Sequence, residues 1–382
     1  METAIQEFAN KRGMKNLEKI TKIPLEGEGS IETRVSKLFR HWQENPEWID
    51  DLHNADAIFI ATHSQGCIAS TQLLDRLIAD GHINTGKNWE AVVRAGDLYG
   101  FMPRKDPQRL CLLGLCGVHH GPLYWLNNST VVNPYITYFE SPAARELFEF
   151  QDSESAASIN YTVALRRVLD HGAKMVYVAS LNDQVVPIYS ASFTAASHPS
   201  ILRGLYVDGD AYSSSDFLSN LIVMLLRIRN AGLDDGGLLV QLSEATAGSL
   251  SGVGHSTAYE ELATYSLAVR FLFETNDIQV PTSLKLEPFQ ARAPRNDYAI
   301  PWSLRGLIED RRIALLFAPE LEELRGAFDQ WQPKTSILRD VRRKLEPIRQ
   351  GPRKGPAVGS SPDPDPSSLS SGDSSRAVGS KL

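Results

Sequence analysis

Residues 57–66 read Ala-Ile-Phe-Ile-Ala-Thr-His-Ser-Gln-Gly, and they are the most informative stretch of the chain about its fold. Its first six residues form an almost wholly apolar run of strand length, which is typical of a parallel strand covered on both faces. A helix is predicted from Gly66 to Leu77, so Thr62-His63-Ser64-Gln65-Gly66 is the turn between strand and helix. Such a turn lifts the serine hydroxyl above the sheet and demands small neighbours on both sides. Gly66 is a small neighbour of this kind. Thr62, at the first position of the pentapeptide, is larger than glycine and makes the turn more crowded.

The chain on both sides of this turn alternates between strand-like and helix-like runs. Helices are predicted at Ala4–Arg12, Ile31–Trp42, Ser155–Leu169 and Tyr189–Ala196, with Ser30 as the N-cap of the second, and strands at Ile20–Leu25, Leu110–Leu115, Lys174–Ala179 and Leu202–Val207. This alternation predicts an α/β fold with a doubly wound, mostly parallel sheet. Catalytic groups are then expected at the carboxyl ends of the strands.

Several regions depart from the alternation. Residues 117–151 predict a cap inserted over the site, because they hold an aromatic stretch with Tyr124, Trp125, Tyr135, Tyr138 and Phe139. The apolar run Phe217–Ile228 is too short to cross a bilayer and predicts a buried helix. Residues 286–350 carry helical patterns, such as Leu321, Leu324 and Phe328, and predict an appended helical segment. Residues 351–382 are dominated by Pro, Gly, Ser and Asp, which predicts a disordered tail.

Composition narrows the class of protein. The 39 Lys and Arg residues against 46 Asp and Glu give a formal net charge of -7, so no broad basic face is available for nucleic acid. The three cysteines, Cys67, Cys111 and Cys116, lie beside or within apolar runs and predict buried thiols in a reducing compartment. Residues 1–20 contain no apolar core of a secretory signal, and no cofactor or metal motif is visible.

The pentapeptide between an apolar strand and a helix resembles the nucleophile elbow of the α/β-hydrolase superfamily, which includes lipases, esterases and thioesterases. Most of Ala4 to Thr275 fits the layout of that superfamily, so residues 1–285 are predicted to be a hydrolase-like domain. Leu25-Glu26-Gly27-Glu28-Gly29 and Asp208-Gly209-Asp210-Ala211-Tyr212 are similar to blocks of a fungal group of α/β-hydrolase-domain proteins. That closer resemblance implies no substrate.

The resemblance implies a serine, acid, histidine triad in that chain order. Ser64 is then the nucleophile, Asp183 in the loop Ser180–Pro187 the acid, and His255 in Gly252–Ser256 the base. Other interpretations stay open. Ser64 is also suited to cap the following helix, and Asp183 is suited to cap the next turn. Asp208 and Asp210 are rival candidates for the acid. An insertion separates His255 from the strand before it, where the family usually has a short connection.

Oxyanion stabilisation needs two N–H donors, of which Gln65 is expected to supply one. The resemblance implies a second donor from a His-Gly-type loop before the first helix, yet that helix begins almost at Met1. The first strands and this loop are therefore expected to be missing, which leaves a shortened chain, an unrelated donor or a loss of catalysis. His63 is expected to shape the elbow. His119 and His120 are pocket candidates that cannot readily share a metal, because adjacent strand residues face opposite ways.

The chain ends in Ser380-Lys381-Leu382, which matches a peroxisomal import signal, with Arg376 nearby; the location is otherwise expected to be cytoplasmic. The predicted activity is hydrolysis of an ester or thioester of an apolar acyl group, with no cofactor and no transmembrane segment. The alternative is a non-catalytic binding or scaffold protein that keeps the fold. Attachment to a lipid surface through Phe217–Ile228 is disfavoured, because that run lacks a basic polar face.

Overall fold

The computed structural model describes residues 1–124, 126, 142–207, 216–246, 254–276, 282–291 and 296–350. Residues 125 and 127–141 of the predicted cap lie outside these residues, as do the rival acids Asp208 and Asp210 and the tail with its terminal Ser380-Lys381-Leu382.

The central sheet of the described chain has four parallel strands that are neighbours in chain order. They are β1 Ala57–His63, β2 Arg109–Leu115, β3 Lys174–Ser180 and β5 Ile201–Tyr206. In β1 and β2, His63 lies opposite Leu115, and in β3 and β5, Ser180 lies opposite Tyr206. The carboxyl ends of all four strands therefore meet at one edge of the sheet. A separate antiparallel pair joins β4 Ala196–Ser197 to β6 Lys285–Leu286.

Helices cover both faces of the sheet. Since alternate residues of a strand point to opposite faces, each strand contributes side chains to the core on both sides. In β2, Leu110 and Leu112 join a core cluster with α4 Gly66–Ala79 and α7 Ala156–Asp170, named here in chain order. Cys111, Leu113 and Leu115 of the same strand belong to a second cluster with α12 Leu262–Glu274. The remaining helices of this region are α5 Trp89–Tyr99, α6 Pro142–Glu146, α8 Ile188–Ala191, α9 Phe217–Asn230, α10 Leu238–Thr246 and α11 Gly254–Thr257. The doubly wound α/β fold predicted from sequence is confirmed.

Three helices precede the first strand: α1 Glu2–Arg12, α2 Ile31–Gln43 and α3 Pro46–Asn54. Ser30 caps α2 as predicted, since its hydroxyl accepts the Thr33 N–H. The predicted strand Ile20–Leu25 is wrong. Its residues pair with no strand, and Pro24 has no N–H to donate to a ladder. Side chains hold the segment instead, because Lys19 and Thr21 both bind the Asp51 carboxylate of α3 at 2.6 and 2.7 Å.

The predicted helix Tyr189–Ala196 is also shorter in the structure. Only Ile188–Ala191 is helical, and β4 begins at Ala196. Phe193 has a positive φ of 44°, a backbone conformation that cannot continue an α-helix. The next predicted helix is confirmed, since α9 runs from Phe217 to Asn230 with most of its side chains buried.

Helices also follow the small β6 strand. They are α13 Ala299–Glu309, α14 Arg311–Leu316, α15 Ala318–Gln330, α16 Ser336–Lys344 and a 3₁₀ turn at Glu346–Arg349. Leu321, Leu324 and Phe328 of α15 are buried as their spacing predicts, and the ring of Phe328 lies 5.1 Å from that of Phe217 in α9. These helices thus pack on the sheet-bearing part of the chain. Among the described residues, no helix combines the length and apolarity needed to cross a membrane.

Candidate active site

Ser64 occupies a tight turn between β1 and α4. Its φ is 55°, in the left-handed region that a non-glycine residue seldom adopts, and its N–H donates to Leu115 O at 2.9 Å. Backbone strain of this kind persists where the surrounding structure holds it, and it is frequent at functional sites. The strand hydrogen bond to β2 and the start of α4 at Gly66 hold the turn on both sides.

The turn accommodates Thr62 because Gly66 has no side chain. A Cβ at Gly66 would lie 2.6 Å from Thr62 Oγ1, which is closer than real Cβ contacts allow. The Thr62 hydroxyl is also 3.2 Å from Ser70 Oγ in α4 and accepts a hydrogen bond from it. The threonine that makes the pentapeptide unusual is therefore matched to Gly66 and to the first turns of the helix.

The structure brings Ser64, Asp183 and His255 together. His255 Nε2 lies 3.2 Å from Ser64 Oγ, and His255 Nδ1 lies 2.8 Å from Asp183 Oδ2. A carboxylate accepts, so Nδ1 carries the proton and Nε2 holds the lone pair that faces the serine hydroxyl. This is the relay geometry in which a serine can lose its proton to an imidazole.

Asp183 is fixed by backbone donors from its own loop. Its Oδ1 accepts N–H bonds from Val185 at 2.8 Å and Val186 at 2.9 Å, which leaves Oδ2 for His255. The Asp183 side chain is only 1% exposed, against 12% for His255. The carboxylate thus caps the turn of its own loop through Oδ1 and accepts from His255 through Oδ2, while the role of Asp183 as the acid stays a prediction.

The short helix α11 presents His255 immediately after Gly254. A Cβ at Gly254 would lie 2.1 Å from Asn182 Oδ1 and 2.4 Å from Ser180 Oγ. The backbone at Gly254 is thus pressed against the end of β3, from which the Asp183 loop leaves. Only glycine permits this approach, which sets the distance between the imidazole and the carboxylate.

His63 supports His255 from the other side. Its Nε2 donates to the His255 carbonyl oxygen at 2.7 Å, and the two rings lie 4.6 Å apart. The ring edge of Tyr259 packs against His63 at 5.1 Å. Burial lowers the pKa of His63 to about 4, with the neighbouring His255 acting in the same direction, so His63 is neutral near pH 7. His63, expected from sequence to shape the elbow, thus contacts both the backbone and the ring of His255.

Cys116 also lies at the site, although the sequence indicated only a buried thiol. It follows β2 with a φ of 49°, and its thiol lies near the Asp183 carboxylate. Burial, followed by the Asp183 charge, raises the pKa of Cys116 well above its usual range. Its position at the carboxyl end of the strand next to the elbow is the signal that could have found it. All three cysteines are buried and free, as predicted.

A family model described as the YMC0/YMC35 alpha/beta hydrolase domain matches residues 1–311. The chain belongs to this α/β-hydrolase family. No curated protein and no solved structure matches this chain. Membership accounts for the elbow and the parallel sheet, and it indicates a hydrolase that acts on a small molecule.

His119 and His120, which the sequence predicts as pocket candidates, lie in the interior of the hydrolase domain. His119 and His120 are almost fully buried, with His119 Nδ1 2.9 Å from Ser190 O and the His120 ring 4.1 Å from that of Phe289. Burial lowers the pKa of both, to about 4 for His119. Both rings pack against Phe193, so packing of the core beside the sheet accounts for their position.

Gln65 occupies the first position after Ser64, where the hydrolase fold has one oxyanion donor. It stands at the N-cap position of α4, where the positive end of the helix dipole lies. Its use as an oxyanion donor stays a prediction, as does the source of a second donor.

Proposed function

We propose that this protein is a serine hydrolase that cleaves an ester or thioester of an apolar acyl group. The observation that supports the proposal best is the continuous chain of hydrogen bonds from Ser64 through His255 to Asp183. Membership of the α/β-hydrolase family supports hydrolysis in general. The apolar preference is supported by the aromatic sequence of residues 124–139 alone.

In the proposed reaction, Ser64 Oγ attacks the acyl carbon while its proton passes to His255 Nε2. The tetrahedral intermediate collapses, and the leaving alcohol or thiol takes that proton. Water then attacks the acyl-enzyme and gives its proton to the same nitrogen. The bond from the acyl carbon to Ser64 Oγ breaks, the carboxylic acid leaves, and Ser64 Oγ takes the proton back from His255 Nε2. Asp183 keeps His255 Nδ1 protonated throughout and stabilises the imidazolium, and the Gln65 N–H stabilises the oxyanion.

Steady-state hydrolysis of esters and acyl-CoA thioesters with short to long acyl chains tests this proposal. We expect kcat/KM to rise with acyl length and Ser64→Ala to lower kcat by at least about 10³-fold. Ser158→Ala is the matched control, since its buried hydroxyl has no hydrogen-bond partner among the described residues. If every ester and thioester is left intact by folded wild-type protein, the non-catalytic binding protein becomes the better account.

We also propose a peroxisomal location, on the basis of Ser380-Lys381-Leu382. An N-terminally tagged fluorescent fusion with and without these three residues tests it. Peroxisomal import of the full chain and cytoplasmic fluorescence of the shortened one are expected. Identical distributions of the two would contradict a function for the tripeptide.

A further inference from the structure

The proposed active site holds a second set of chemical groups beside its triad. One ligand atom each from His63, Cys116 and His255 lie within 4.8 Å of one another. Two imidazoles and a thiol are the donor set that zinc-group cations prefer, because these cations bind nitrogen and sulfur strongly.

The distances leave room for an ion of that size. A cation at the centre of such a triangle would be at most about 2.8 Å from each ligand atom, whereas Zn–N and Zn–S bonds are about 2.1 and 2.3 Å. The side chains must therefore close by about half an ångström each. A movement of this size corresponds to small rotations about the side-chain torsions of the two histidines and the cysteine.

The hydrogen bonds already present suit coordination by both rings. His255 donates its Nδ1–H to Asp183 and His63 donates its Nε2–H to the His255 carbonyl, so each ring keeps a lone pair on its other nitrogen. Zinc-bound histidines usually donate their second ring N–H to a carboxylate or a backbone carbonyl in this way. The acid of the triad would thus also serve as the partner of a metal-bound histidine.

We propose that Zn²⁺, or Cd²⁺ in its place, binds His63, Cys116 and His255 and reversibly inhibits the enzyme. Binding forms one bond to each imidazole and one to the thiolate, releases the thiol proton to solvent and displaces water from the ion. The inhibition rests on the proposed function, because a His255 Nε2 lone pair held by metal cannot accept the Ser64 proton. The binding itself does not depend on that function.

Ultraviolet titration of chelator-treated, full-length protein with Cd²⁺ tests the binding, since cadmium thiolates give a charge-transfer band. Wild type is expected to develop the band with one equivalent of Cd²⁺. Cys116→Ala should lose it, while Cys111→Ala should keep it, because Cys111 is buried in the cluster packed on α12. A band that persists in Cys116→Ala, or no band in wild type, overturns the proposal.

A second variant tests the ligand set independently, in case Cys116→Ala does not fold. His63→Gln keeps an N–H able to reach the His255 carbonyl but removes one ligand, and we expect it to weaken Cd²⁺ binding by at least about tenfold. Unfolding curves of both variants are recorded alongside. Unchanged Cd²⁺ affinity in folded His63→Gln would contradict the three-ligand site.

Labelling of Ser64 by a fluorophosphonate tests the inhibition. Zn²⁺ should block labelling of wild type, a chelator should restore it, and Zn²⁺ should leave Cys116→Ala at its own metal-free level. Faster labelling with Zn²⁺, or no effect of Zn²⁺ on wild type, overturns the inhibition. If metal-free wild type is never labelled yet the cadmium band forms, the proposed function fails while the metal site stands.

Discussion

Thr62 and Gly66 are sterically matched, because the hydroxyl of Thr62 lies where a side chain at residue 66 would begin. The 2.6 Å between Thr62 Oγ1 and a Cβ at Gly66 makes Gly66→Ala a steric test of the elbow. We expect the unfolding free energy to fall by about 1–3 kcal/mol and kcat/KM to fall at least about tenfold. Chemical denaturation and ester hydrolysis measure the two effects.

The double variant Thr62→Ala with Gly66→Ala is the control for that clash, since it removes the obstructing hydroxyl. Much of the lost stability should return in a double-mutant cycle. Equal losses in the single Gly66→Ala and the double variant would mean that another contact requires the glycine.

Gly254 is expected to control the placement of His255. Gly254→Ala puts a methyl group against Asn182 Oδ1 and Ser180 Oγ, so the imidazole should move away from Asp183 and Ser64. A shift of about 1 Å can cost about 10²-fold in rate. We expect kcat to fall by that order. Gly326→Ala in α15 is the matched control, because no atom lies within 4 Å of its added Cβ. Unchanged kcat in folded Gly254→Ala would contradict this role.

Asp183→Asn separates the orienting role of the carboxylate from its packing. The amide oxygen can still accept the Val185 and Val186 N–H bonds, but its NH₂ group would face His255 Nδ1 and impose the wrong tautomer. The same exchange in a serine protease triad lowers kcat by about 10⁴, and a loss of about 10³ to 10⁴ is expected here. A near-normal kcat with normal folding would show that Asp183 is structural only.

Stability should fall in mild acid because of a buried histidine pair. His53 Nε2 lies 3.2 Å from His82 Nδ1. Burial lowers the pKa of His53 to about 4 and also lowers that of His82. The unfolded chain therefore binds protons at a higher pH than the folded chain. The contribution is fully present above the unfolded pKa of about 6.5, and it is lost as the pH falls from there towards 4.

Urea denaturation at pH 7, 6 and 5 measures that slope. His53→Gln should flatten it by at most about 1.4 kcal/mol per pH unit. His119 and His120 act in the same direction, since burial lowers their pKa too, so only part of the slope should disappear. A slope that is identical in His53→Gln would assign the acid sensitivity to other groups.

Much of the fold could be predicted because its strands carry local signals. The apolar runs at β2 and β3 are buried on both faces, whereas that at the edge strand β1 is only partly buried, and composition locates all three. Ile20–Leu25 is less apolar and contains Pro24, and it pairs with no strand, because pairing depends on partners that local sequence does not specify. The early end of α8 at Ala191, followed by the positive φ of Phe193, likewise depends on the surrounding structure.

The site residues differ in how far sequence could predict them. Ser64 and Asp183 follow strands directly, so the topology predicts their edge of the sheet. His255 was placed by resemblance in chain order, and the structure brings it to Ser64 across 191 residues. Cys116 has no motif, because its relation to Asp183 and His255 arises only from the packing of neighbouring strand ends.

Mass spectrometry of full-length protein treated with a fluorophosphonate, followed by peptide mapping, tests whether Ser64 is the nucleophile. One adduct is expected, located on Ser64, absent from Ser64→Ala and strongly reduced in His255→Gln. Folded, metal-free protein that acquires no adduct, or an adduct on another serine with Ser64 unmodified, would contradict this role.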